Sequence, residues 1–277
     1  MGLFIFVLFL AFGLLALVGR RILDHNADRT EMDRLLRLQP ESPKLFQYSM
    51  IADLPEPARR YFAFAIAQNT PLLTVADLRM TGQFSLRGKG KYMKMRAHQV
   101  LAAPYGFIWK MRARSGLLWL SGSDSAAWTR FWIGEIAPVA RFGGDTDHAR
   151  AAFGRTVAEA VFWTPAALLP GPNVTWQSAG PDTAKVTVHH QGLEQSVDIV
   201  VANDGQPISI KFARWSDANP QKLYQLQPFG GYLSHFQTVQ GYQIPTQVEA
   251  GNFFGTDWYF PFYIVDVDEI RYPQTSS

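Results

Sequence analysis

A chain of 277 residues that is 47% hydrophobic and 18% charged has ample material for a buried core and too little charge for a disordered protein. Its net charge of +3 falls far short of the Lys/Arg excess of a dedicated nucleic-acid binder. The absence of cysteine excludes disulfides, thiolate metal sites and a cysteine nucleophile, and fits an oxidising cell envelope without requiring one.

Leu3 to Val18 carries no charge, and with its flanking glycines it reaches about 27 Å at the helical rise, close to a thin hydrocarbon core. No basic stretch precedes it, and a cleavage pattern gives way to Gly19, Arg20 and Arg21, so residues 1–19 read as an uncleaved transmembrane anchor. Residues 20–43 read as a helical stalk and linker. Its arginines (Arg20, Arg21, Arg29, Arg34 and Arg37) are expected in solvent, and Met32, Leu35 and Leu36 form one short apolar stripe before the stop QPESP. Five arginines after the span argue for a cytoplasmic main domain. The missing cysteines lean the other way, toward the periplasm. The expectation is a single-pass inner-membrane protein whose side stays open, with a lean to the periplasm.

Residues 44–272 read as one β-rich domain, followed by a tail at 273–277. Asp53 is placed to cap a helix over 54–68, with Glu56 three residues on; Leu54, Ala58, Tyr61, Phe62, Ala65 and Ile66 form its apolar stripe. A lid or end-plug on the sheet is the expected role. Three strands with clean period-two alternation follow. Met80, Phe84, Met93, Met95, Trp109 and Met111 fall on their dry face. Arg79, Lys94, Arg96, Lys110, Arg112 and Arg114 fall on the wet face, in a segment that holds no Asp or Glu from Leu78 to Ser123. Such a face is ordinarily just solvated. Beside a membrane anchor it also suits anionic lipid. Nucleic acid is excluded as a partner because the aromatics lie on the opposite face, where no base can stack between basic residues.

Residues 147–168 read as a central helix. Phe153, Val157, Val161 and Leu168 share one face, further apolar residues widen it almost all round, and Pro165 kinks or ends it. A helix this apolar needs cover on several sides. Strand-and-turn patterning resumes after Pro172, giving about ten or eleven strands in all. The fold class is therefore mainly β (α+β): a curved antiparallel sheet or half-open β-barrel wrapped around one apolar helix, behind a transmembrane helix and stalk.

No G-x-S-x-G, G-x-G-x-x-G, P-loop or H-E-x-x-H pattern is present, so no catalytic residue, metal ligand or cofactor is assigned. Asp145, Asp147 and His148 fall where a helix starts, which favours capping over metal binding. Arg155 and Glu159 are spaced i, i+4 as a structural ion pair.

Four stretches resemble a bacterial family of membrane-anchored proteins of unknown function: LPEPARRYF at 54–62, QVLAAPYGFIWKMRAR at 99–114, FGRTVAEAVFWTPAALLP at 153–170 and YLSHFQTVQGYQIPTQVEA at 232–250. The resemblance spans roughly residues 50–272 and brings no activity. More distantly, a curved sheet around an apolar helix is similar to the carriers that ferry lipoprotein acyl chains across the periplasm. Together these imply a non-catalytic protein that binds a lipid or other hydrophobic ligand beside membrane lipid. The expected ligand site comprises Met80, Phe84, Met93, Met95, Trp109, Met111, Phe153, Val157, Val161 and Leu168. The alternatives are a scaffold with a packed core and, from the enzyme class, a lipid-modifying hydrolase. Protein partners are unknown.

Overall fold

The structure, a computed structural model, describes residues 2–86 and 88–273. Met1, Arg87 in the first basic turn and all of the expected tail beyond Pro273 lie outside the described residues. Helix α1 spans Gly2–Leu36 and α2 spans Glu56–Ala65. Six strands follow: β1 (Val75–Phe84), β2 (Met93–Ala102), β3 (Gly106–Ser115), β4 (Leu118–Ser125), β5 (Thr129–Ile133) and β6 (Ala137–Phe142). Helix α3 (Thr146–Trp163) leads to seven more: β7 (Val174–Gly180), β8 (Thr183–His190), β9 (Leu193–Val201), β10 (Pro207–Ser216), β11 (Gln225–Val239), β12 (Tyr242–Asn252) and β13 (Tyr263–Arg271).

These form one antiparallel sheet of thirteen strands in the order β6-β5-β4-β3-β2-β1-β13-β12-β11-β10-β9-β8-β7. Two meanders are thus joined where β1 pairs with β13, and β6 and β7 are the free edges. The sheet is open and curved, as a twisted sheet this wide must be. Topology then dictates where α3 lies. It connects the last strand at one edge to the first strand at the other, so it crosses the concave face. Twelve of its residues are buried, from His148 to Trp163.

The strands outnumber the expectation, and β6 is one source. Pro138 reads as a breaker, but at an edge its missing N–H costs no ladder bond. Helix α3 ends at Trp163 and a 3-10 turn from Pro165 to Leu168 follows, as the proline requires. Helix α2 departs from expectation at both ends. Pro55, not Asp53, occupies its N-cap without a side-chain cap, and Glu56 pairs with Arg60 at 2.7 Å. Its C-terminus comes at Ala65 because Ile66 turns extended to bridge Tyr242.

Helix α2 seals the end of the trough that holds the C-terminus of α3. The buried Tyr61 hydroxyl donates to the Val161 carbonyl at 2.5 Å, and Tyr272 does the same to Trp163 at 2.7 Å. Burial pushes both phenols upward from their ordinary pKa, so they stay neutral donors.

Arg20, Arg29, Arg34 and Arg37 are exposed as expected, but Arg21 is not, and one stripe of the stalk is docked on the domain. From Arg21 to Leu36, α1 lies on the convex face of β1–β5. Met32 and Leu35 pack with Val75, Val100, Ala102 and Ile108 in a second small core. Asp28 accepts from Ser123 at 2.7 Å and sits 3.7 Å from Lys110. Asp24 accepts from Trp132 at 2.9 Å and from Arg141 at 2.6 Å. Arg21 is buried, donating to Glu135 and to Ser121 at 2.9 Å. Residues 21, 24, 28, 32 and 35 form one helical stripe, which explains the docking.

This docking orients the apolar part of α1. Leu35 packs near the start of β1 and the end of β2, whereas Arg21 reaches Glu135 in the β5–β6 turn at the opposite ends of those strands. Residues before Arg21 therefore project past the edge that carries the β1–β2, β3–β4 and β5–β6 turns. Among the described residues α1 is the one helix long and apolar enough to cross a membrane.

Candidate functional site: an apolar cavity beneath the central helix

Between α3 and the concave face lies a cavity of about 450 Å³, within the roughly 300–1,000 Å³ typical of small-molecule sites. Helix α3 lines it through Ala151, Arg155, Ala158 and Phe162, spaced three or four apart, with Ala152 and Glu159 beside them. Helix α3 also packs on β9 and β10. One wall is an edge-to-face aromatic layer. Trp109 contacts Phe84 at 6.3 Å, Phe131 at 6.4 Å and Tyr263 at 6.1 Å between centroids. The other wall is Ile210, Phe212, Phe229, Leu233 and Val248. At the mouth, Leu86, Phe142, Asp217 and Tyr224 are exposed.

Of the ten residues expected to form the ligand site, Phe84 and Trp109 line this cavity. Met80, Met93, Met95, Met111, Phe153, Val157, Val161 and Leu168 do not, although all eight are buried in the continuous core. The methionines share the correct sheet face but are buried in the core, and Met80 lies beneath the aromatic layer, its sulfur accepting from the Tyr263 hydroxyl at 2.9 Å. Phe153, Val157 and Val161 occupy the α3 face turned away from the cavity.

A charged network anchors α3 to the sheet. Arg155 donates to Glu159 at 2.6 Å, to Asp124 at 2.8 Å and to Gln99 at 3.0 Å. Gln99 donates in turn to Glu159 at 2.5 Å, and Thr129 to Asp124 at 2.6 Å. The guanidinium also lies 4.2 Å over the Phe107 ring. Burial alone would disfavour the Arg155 cation, but Glu159 and Asp124 outweigh it and hold the pKa above its ordinary value. Both carboxylates are hydrogen-bonded within this network.

Arg214 differs. It alternates with Ile210 and Phe212 on the inward face of β10 and lines the cavity, half-buried. Its Nε is fully buried with no hydrogen-bond partner, and its guanidinium sits 4.8 Å from the Phe229 centroid. Among the described residues it makes no ion pair. Burial, reinforced by the charge of Arg155, depresses its pKa. Sequence reasoning missed Gln99, Asp124 and Arg214, yet each is a polar residue in a mostly apolar inward set, and that is the signal that finds them.

The residues weighed as metal ligands are all in structural use. Asp145 caps α3 by accepting from the His148 amide at 2.7 Å, Asp147 accepts from Trp215 at 2.7 Å, and the His148 ring meets the Ser125 carbonyl at 3.0 Å.

The expected basic face is smaller than its sequence suggests, because acids arrive from elsewhere in the chain. Lys110 lies against Asp28, Arg112 stands 3.8 Å from Glu135 and Arg79 stands 3.4 Å from Glu269. Lys94, Arg96 and Arg114 remain exposed without an ion pair among the described residues. They neighbour the turns where Leu86, Leu117, Trp119 and Ile136 are exposed, Leu117 to 97%.

Fold and cavity together define a class: an open antiparallel trough that wraps a single helix and keeps an apolar chamber between them. The chain belongs to the family of unknown function DUF6544, whose model matches residues 44–262. No curated protein matches it. Three solved structures are similar. A LolA superfamily protein from Nitrosomonas europaea has 9% identity and a TM-score of 0.40, covering 79% of this chain and 93% of that one. A putative outer membrane lipoprotein-sorting protein domain from Vibrio parahaemolyticus has 8% identity and a TM-score of 0.36, covering 83% and 93%. A DUF1329 family protein from Desulfovibrio piger has 11% identity and a TM-score of 0.41, covering 83% and 93%. A family of unknown function and lipoprotein-sorting proteins are the two resemblances drawn from the sequence.

Proposed function

We propose that this protein binds the acyl chain of a lipid or a similar hydrophobic ligand in the cavity beneath α3, without chemistry, while α1 tethers it to the inner membrane. The observation that carries the reading is the cavity itself: about 450 Å³, walled by aromatic and aliphatic side chains, with an open mouth. A chamber of that size with an open mouth suits one acyl chain. A scaffold with a packed core has no use for this space. The commitment of Glu159 and Asp124 to Arg155 supports a binding role over a hydrolytic one.

The membrane is the second half of the proposal. Exposed Leu117, Trp119 and Ile136 lie at the strand ends past which α1 projects, with Lys94, Arg96 and Arg114 nearby. That combination suits an edge resting on an anionic bilayer surface, apolar tips among the headgroups and cations beside phosphates. Leu86 belongs to the same edge and to the cavity mouth, so a chain leaving the bilayer has a short apolar path inward.

A fluorescent fatty acid added to the full chain in nanodiscs tests the binding claim. Saturable uptake above that of empty nanodiscs is expected, and none would refute it. A C-terminal alkaline phosphatase fusion tests the side of the membrane: activity is expected for a periplasmic domain. Activity from a cytoplasmic reporter alone would restrict the protein to lipids of the inner leaflet.

A further inference from the structure

We propose that Arg214 is a headgroup-recognition residue, and that the ligand is a single-chain amphiphile with an acidic oxyanion head. This rests on the cavity being a ligand site. It goes beyond that reading by assigning the chemistry of the polar end.

A guanidinium taken out of water requires anionic or polar acceptors. Five N–H donors in a fixed fork are strongly stabilising when they meet carboxylate or phosphate oxygens, and removing them from water without such a partner is costly. Arg155, on the neighbouring helix, has its partners: Glu159, Asp124 and Gln99 take its donors. Glu159 and Asp124, which share the cavity with Arg214, are thus hydrogen-bonded to Arg155 and make no ion pair with Arg214 among the described residues. Arg214 has no salt-bridge partner among the described residues, its Nε is buried without an acceptor, and the ring of Phe229 covers one side. Its backbone position on β10 gives it no choice of direction, because Ile210 and Phe212 on the same inward set are core residues. An exposed arginine would have been accommodated at Ala213 or Lys211, whose side chains face out.

The cavity thus offers one guanidinium with a buried donor and no direct acceptor among the described residues, in a mostly apolar chamber. That arrangement matches a ligand with one long apolar body and one anionic end. A neutral lipid leaves the guanidinium unpaired, and a cationic amphiphile meets repulsion from it. Asn252, in the cavity lining, adds a buried side-chain amide oxygen without a partner, an acceptor for a hydroxyl or a protonated head.

The test uses the full chain in nanodiscs and three photoactivatable C16 probes that differ only at the head: a carboxylic acid, the alcohol and the amine. Crosslinks are mapped by peptide mass spectrometry to α3 and to residues 225–233, which separates cavity labelling from labelling of α1 in the bilayer. At equal membrane loading the acid is expected to label the cavity peptides about tenfold or more over the alcohol, equivalent to at least about 1.4 kcal/mol, and the amine least. Arg214→Gln should bring acid labelling down to the alcohol level and leave alcohol labelling unchanged. Competition by unlabelled palmitate and by 1-palmitoyl lysophosphatidate identifies which oxyanion fits better. Thermal melting adds a readout independent of the probes: because Arg214 has no hydrogen-bond or ion-pair partner among the described residues, Arg214→Gln should keep or raise the Tm of the ligand-free protein. Equal cavity labelling by acid and alcohol, or unaltered acid labelling in Arg214→Gln, would overturn the headgroup assignment and leave the cavity standing. Absence of cavity labelling by all three probes would overturn both.

Discussion

Ala158→Phe separates a cavity from a packed interior. Ala158 sits in the middle of the α3 face that lines the cavity, between Arg155 and Phe162, and is buried. The six added ring carbons occupy on the order of 100 Å³ of the about 450 Å³ available, and at ~24 cal/mol per Å³ of cavity removed the upper limit of stabilisation is about 2.4 kcal/mol. Water in the partly open trough reduces this gain, so the expected change runs from about zero to about 2 kcal/mol of added stability. In a filled core the same substitution costs about 1–3 kcal/mol through forced rotamers and backbone shifts. For a domain of this size, 1 kcal/mol moves the Tm by roughly 2–4 °C. Thermal melting of the full chain in nanodiscs should therefore give an unchanged or higher Tm, together with loss of fatty-acid uptake. A Tm lowered by several degrees with uptake intact would refute the reasoning.

Arg155→Met leaves Glu159 and Asp124 without their cation; a loss of about 3–5 kcal/mol in denaturant unfolding is expected, against near zero for Arg96→Met on the exposed face. Asp24→Asn removes the acceptor shared by Trp132 and Arg141, and should cost about 3 kcal/mol in the docking of α1, read as faster amide exchange over residues 21–36. At Asp77, burial would raise the carboxyl, but the hydrogen bond and charge of His98 at 2.6 Å outweigh it and hold the pKa below its ordinary value. Its stabilising contribution is therefore present at neutral pH and lost as pH falls through the folded-state value. Asp77→Asn should cost about 1–2 kcal/mol at pH 7, with the difference from wild type fading in acid unfolding curves. Brominated lipids should quench the tryptophan emission of wild type more than that of Trp119→Phe, if the β3–β4 turn meets the bilayer.

Much of this architecture was legible in the sequence. Period-two alternation in β1, β2 and β3 gave the inward face, and the all-round apolar α3 required a sheet curved about it. Pro165 ended the helix where expected. What stayed hidden depended on the third dimension. The methionines of β1–β3 face inward as their period demands, but strand period carries no depth, and Phe84, Trp109 and Tyr263 reach further from the sheet. The α1 stripe at Arg21, Asp24 and Asp28 was visible as a spacing, yet charged stripes are ordinarily solvated, and the partners Glu135, Arg141 and Ser123 lie about a hundred residues away. The basic face looked uncompensated for the same reason. Arg214 carried a local signal, a charge between inward apolar neighbours, that only becomes meaningful once β10 is known to wall a cavity.

The most direct test of the central claim places a spin-labelled hexadecanoate on the full chain in nanodiscs and observes side-chain methyl resonances. Ile210, Leu233 and Val248 line the cavity, whereas Val157, Val186 and Val197 are buried elsewhere. Binding beneath α3 predicts saturable broadening that is strongest at the first three and weaker at the second three. Broadening confined to the leucines and valines of α1, with the cavity methyls unchanged at every concentration, would contradict it.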